Sequence, residues 1–165
     1  MIDTTYVVTM AAYNRWQNDN LYGAADALSE AERTLDRGAF FGSIQGTLNH
    51  ILWADEVWLG RFSGRPHPAT PIHRSHDRYQ DWNELRAARI GLDADIAAWA
   101  EALDPAWLAQ APARSGASKT KPPRPHAFLV VHMFNHQTHH RGQVHAMLTA
   151  AGARPSDTDL LKMEP

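Results

Sequence analysis

Ten histidines stand in this chain, and five of them (His132, His136, His139, His140 and His145) fall within residues 132–145. Even spacing would put about one there, so the cluster calls for a chemical reason. On a helix, residues four apart lie one turn apart on the same face. His132/His136 and His136/His140 have that spacing, and His136/His139 is the three-residue version. Two imidazoles so placed can reach one divalent ion, as the paired histidines of H-E-x-x-H helices do. A helix bundle can supply a third ligand from a facing helix. His50 is the candidate, being the one other histidine that falls inside a predicted long helix. Spacing alone leaves open which pair along residues 132–140 binds.

The chain contains no cysteine, which excludes thiolate metal sites, disulfides and a protein thiol nucleophile. The metal chemistry is therefore that of imidazole, which suits Zn, Ni, Cu or Fe. Three imidazoles leave a coordination position open, where water can be acidified toward a pKa of ~7 or a substrate thiolate bound.

The elements that must position these residues read as four long helices. Tyr6, Met10, Tyr13, Gln17, Leu21, Ala24 and Leu28 recur at steps of three and four, predicting a helix from about Thr5 to Leu28. Ser29 to Glu32 has the form of a capping box and predicts one short helical turn. A second long helix is expected from about Ser43 to Phe62, with Ser43 as N-cap and His50 at its middle. Residues 63–76 hold Gly64, Pro66, Pro68 and Pro71 and read as a loop. Trp82, Leu85, Ala88, Leu92, Ile96, Trp99 and Leu103 predict a helix from about Arg78 to Leu103, ended by Asp104-Pro105. Residues 109–125 read as a second loop, and a short hairpin within 104–126 is compatible with the pattern. The last helix is expected from about Ala127 to Ala151, with Gly152 as its stop, and it carries the histidine cluster. The tail is expected to pack through Leu160 and Leu161. Helical periodicity throughout predicts an all-α four-helix bundle in a single domain, residues 1–165.

Length and composition set the outer limits. One domain of 165 residues with 44% hydrophobic and 21% charged residues is large enough for a real core and is neither disordered nor collagen-like. No apolar run approaches the roughly 18 residues of a membrane span, and the N-terminus does not read as a signal peptide. A cytoplasmic location is the expectation. A net charge of −2 and a pI near 6.5 argue against nucleic acid as a partner.

The string NHQTHHRGQ (135–143) resembles the C-terminal helix motif of the DinB family, the DinB/YfiT-like metalloenzymes. GSIQGTLNHILWADEVWL (42–59), AAYNRWQNDNLY (11–22) and AGARPSDTDLL (151–161) resemble, in the right order, that family's second helix, first helix and ending. Residues 63–125 carry little of the resemblance. It implies an up-down-down-up four-helix bundle, often homodimeric, that binds a divalent metal through one histidine of the second helix and an HxxxH pair of the last. Carried onto this chain, the ligands are His50, His136 and His140, with His139 as the non-ligand first histidine of HHRGQ. Zinc ranks first and nickel second. Family members with assigned activity include thiol-dependent S-transferases and a mycothiol-dependent maleylpyruvate isomerase, so the resemblance implies a metal-dependent transferase, isomerase or hydrolase acting on a small molecule such as a low-molecular-weight thiol. The alternative is a non-catalytic, stress-associated dimeric bundle that only binds metal. Six tryptophans and the long apolar stripes add to the expectation of a homodimer.

The other conspicuous residues have structural readings. Asp55 points about 140° away from His50 around its helix and is expected to pair with Arg141. Arg141 and Gln143 read as bundle-fixing as much as site residues. Asn135 is a candidate to support a ligand from behind. Trp53, Trp58, Trp82 and Trp99 read as core or dimer interface. His67, His73, His76 and His126 are expected to be solvated in loops, and His145 to lie at the helix surface.

Overall fold

Three of the four long helices are started by a side chain that accepts the first free backbone N–H groups, in a computed structural model that describes residues 1–111 and 123–164. Asp3 caps α1 (Thr4–Asp26) by accepting from the Tyr6 N–H at 2.8 Å. The capping box of Ser29 and Glu32 starts α2 (Glu30–Thr34). Ser43 caps α3 (Ile44–Ser63), which Gly64 ends in the left-handed region at φ 72°. Asp81 caps α4 (Trp82–Glu101), so this helix begins four residues after the expected start at Arg78. The short α5 (Pro105–Ala109) follows. The last helix, α6 (His126–Ala150), has no side-chain cap, but the His126 N–H donates to the Gln110 carbonyl at 2.7 Å. Such caps satisfy donors that a helix start leaves unpaired.

Against expectation, residues 72–77 of the first loop form a 3-10 turn, Ile72–Asp77. Among the described residues the one β contact is an isolated bridge between Ala39 and Gly42. The hairpin considered for 104–126 is replaced at its start by α5, and the part of it and of the second loop that falls at 112–122 lies outside the described residues.

The long helices form a ring in which α1 and α3 each pack against α4 and α6. Contact order along the pairs gives the directions. Tyr6 meets Phe134 and Asn14 meets Arg141, so α1 and α6 run parallel. His50 meets His136 and Trp58 meets His132, so α3 and α6 are antiparallel. Asn14 bonds Asp93 while Asp26 bonds Trp82, so α1 and α4 are antiparallel too. The result is an up-down-down-up bundle whose core includes Leu21, Ile44, Leu48, Leu52, Leu85 and Phe134.

A polar network is buried in this core. Asp55 accepts from Arg89 at 2.7 Å and from Gln137 at 2.9 Å. Arg89 also donates to Asp93 at 2.8 Å, and Asp93 accepts from Asn14 and Asn18 on α1. The expected Asp55–Arg141 pair does not form. Arg89, one helix away, takes Asp55, and Arg141 donates to Asn14 instead. Burial works against the Arg89 cation, but Asp93 and Asp55 outweigh it and push its pKa up. Residues from all four long helices thus meet in one network, which fixes their rotation as apolar contacts alone do not.

Two further expectations are corrected. His126 is buried rather than solvated. Its ring stacks flat on Trp107, centroids 3.9 Å apart, and its Nδ1 lies 2.9 Å from the Trp107 carbonyl. The tail does not anchor through leucines, since Leu160 is 45% and Leu161 98% exposed. Polar side chains of α1 hold it. Tyr13 donates to the Thr158 carbonyl, Gln17 to that of Asp157 and Asn20 to that of Ser156.

Candidate metal centre

The antiparallel pairing of α3 and α6 sets His50 opposite the one-turn pair His136 and His140. Each offers a ring nitrogen, and these nitrogens all lie within 4.8 Å of one another. His50 and His140 are buried and His136 half-buried. His139, one residue away, is exposed. The three histidines that the resemblance selected are the ones the fold gathers. His132 is exposed and sets its ring edge-on to Trp58.

Hydrogen bonds behind the cluster decide which nitrogen faces inward. His50 Nδ1 lies 2.8 Å from Ser75 Oγ, and that hydroxyl gives its one proton to the Ile72 carbonyl at 2.7 Å. Ser75 must therefore accept, so His50 carries its proton on Nδ1 and a lone pair on Nε2. His140 Nδ1 lies 2.7 Å from Gln143 Oε1, an acceptor, which leaves the His140 Nε2 lone pair free in the same way. His136 Nδ1 is buried without a partner among the described residues. The Nε2 atoms of His50 and His136 lie 3.1 Å apart. With a lone pair fixed on the first, a proton or a cation must lie between them.

The electrostatics keep the rings neutral. Burial first, and then the neighbouring imidazoles, hold the His50 pKa down to about 3 and that of His136 to about 4. Burial also lowers His140. All three are thus neutral at pH 7, the state in which imidazole ligates. The donor set fits a divalent metal ion: three neutral imidazoles, two with their outer nitrogens already bonded.

One side of the centre is walled by aromatic rings. Phe41 stacks on His50 at 3.7 Å between centroids and lies 5.4 Å from His140, while Trp53 flanks His50 at 5.7 Å. Phe41 can lie there because Gly46 opens the first turn of α3, where a Cβ would stand 2.5 Å from the Phe41 carbonyl oxygen. Next to it Phe40 is 83% exposed. His76 is exposed, as expected, and its ring lies 6.5 Å from Phe41.

Ser75, Phe41, Gly46 and the Arg89 network had no reading in the sequence. Gln143, read as bundle-fixing or site residue, supports His140. Asn135 is exposed and has no bond to a ligand histidine. Asp55 is committed to Arg89 and Gln137, and Glu56 pairs with Arg78.

An up-down-down-up bundle with three converging histidines defines a class of helical metal-binding proteins. The chain belongs to the DinB family, whose model matches residues 1–165. No curated protein sequence shows a significant match to it.

Proposed function

We propose that this protein is a metal-dependent enzyme of the thiol-transfer, isomerase or hydrolase type. A divalent ion, zinc first and nickel second, is held by His50, His136 and His140. The observation that carries this reading is the convergence of three neutral imidazoles, two of them fixed from behind by Ser75 and Gln143. When bound, such an ion supplies Lewis acidity to a water molecule or a thiol. The chain's own residues do the rest. Ser75 and Gln143 hold protons on the outer ring nitrogens and so aim the inner lone pairs. Phe41 and Trp53 cover the flanks of His50 and keep bulk water from it. The chain has no cysteine, so any thiol in the reaction belongs to the substrate. The reading includes a homodimer in the cytoplasm, for which sedimentation is the check.

The test uses untagged protein. Elemental analysis is expected to find one divalent ion per chain. Consumption of bacillithiol, mycothiol or glutathione with an electrophile is then expected to depend on that ion and to be lost in His140→Ala. Full metal content without turnover of any thiol or hydrolysable substrate would favour the non-catalytic reading.

A further inference from the structure

A second polar cavity lies on the other side of α6, between α1 and α6. It encloses about 220 Å³ and is lined by Tyr13, Leu21, Thr138, Arg141, His145 and Thr158, among others. Arg141 is the charged group in its wall and is 95% buried, with 5% of its surface exposed. Among the described residues no carboxylate lies within salt-bridge distance of its guanidinium, whereas Arg89 nearby takes both Asp55 and Asp93. Arg141 Nη1 donates to Asn14, and Nη2 makes only a long 3.5 Å contact with Thr138. A guanidinium is a cation at neutral pH. A guanidinium is built to bind a planar oxyanion through two parallel N–H bonds, and here that fork has a cavity beside it and no such partner.

We infer that this cavity is a binding site for a small carboxylate, whose anionic end sits on Arg141 and whose short apolar body lies against Leu21 and the Tyr13 ring. The rest of the wall fits such a ligand. Tyr13 lies under the guanidinium, 5.5 Å from ring centroid to charge centre, and holds it in place. Thr138 and His145 add hydrogen-bonding groups on the same helix face, three and four residues from Arg141. The tail closes one side through the bonds that Tyr13 and Gln17 make to residues 158 and 157. One buried cation and an apolar wall suit a monoanion with a hydrocarbon body better than inorganic phosphate, which carries more charge and no apolar surface. This site is separate from the three-histidine centre and does not depend on its chemistry.

Isothermal titration calorimetry with acetate, butyrate and inorganic phosphate tests the proposal on the protein as purified and on three variants. Saturable butyrate binding is expected, tighter than that of phosphate and accompanied by a rise in the thermal midpoint. It should weaken at least tenfold in Arg141→Gln and survive in His136→Ala, where a carboxylate merely ligating the metal would be lost. Thr138→Leu fills the cavity edge from an exposed position without touching the core network, and should block binding even if Arg141→Gln fails to fold. The proposal is overturned by absence of saturable carboxylate binding, by phosphate binding as tightly as butyrate, by loss in His136→Ala, or by retention in Thr138→Leu.

Discussion

His50 donates from Nδ1 to Ser75 Oγ across 2.8 Å, and that one bond ties a loop residue to the orientation of the α3 histidine. Ser75 is fully buried and is itself held by the Ile72 carbonyl, so the imidazole is gripped on a short rigid relay. Ser75→Ala is expected to lower metal affinity by about 10- to 100-fold, the usual effect of losing such a supporting bond. It also strands a buried N–H, at a cost of about 1–3 kcal/mol in metal-free stability. A chelator-competition titration and urea unfolding measure the two effects, and unchanged affinity would show that the relay does not orient His50.

The ligand set separates neighbouring histidines. His50→Ala, His136→Ala and His140→Ala should each lose bound metal and the thermal stabilisation that goes with it, because an ion held by these three would join α3 to α6 and bind only the folded state. His139→Ala removes an exposed ring and should keep both. Metal content with and without chelator checks this. Loss of metal in His139→Ala with retention in His140→Ala would assign the three-residue pair instead.

The buried charge network carries stability rather than chemistry. Asp55→Ala leaves Arg89 with one carboxylate in place of two and Gln137 without its acceptor. The expected loss is about 3–5 kcal/mol, the range for breaking a buried ion pair from one side. Chemical denaturation gives the figure. A loss under ~1 kcal/mol would mean that water takes over from the carboxylate.

The pH dependence follows from the depressed histidines. Unfolded, each titrates near 6.5, whereas folded His50 and His136 titrate at about 3 and about 4. Between these values the unfolded chain binds more protons, so stability falls as pH is lowered from about 7 toward 4. Above pH 7 both states are neutral and the dependence vanishes. Ligation needs the same neutral rings, so metal leaves in the same acid range. In chelated protein the urea midpoint should drop between pH 7 and pH 5, before ordinary carboxylates titrate, and less steeply in His50→Phe. A flat midpoint over that interval would contradict the burial of these rings.

Periodicity along the chain was enough to mark the four long helices, because a helix repeats its buried face every three to four residues and most caps stand next to it in sequence. Ser43, the Ser29–Glu32 capping box and Gly152 are where that local reading placed them. The His136/His140 spacing was legible for the same reason, and the family motif singled it out from the alternatives. The partners across helices were not legible. Which residue faces Asp55 depends on the rotation and relative height of α3, α4 and α6, which no single helix encodes, so Arg89 displaced the expected Arg141. Ser75 was hidden among loop residues, where position depends on how a breaker-rich segment folds back onto α3. His126 and the tail misled for a related reason: a histidine at a helix start is buried only if a ring such as Trp107 arrives from elsewhere, and exposed leucines are no anchor when Tyr13, Gln17 and Asn20 offer hydrogen bonds. Residue type and spacing therefore determined the helices and the chemistry this chain can do, while the packing of four rods, set by distant contacts acting together, decided which side chains meet to do it.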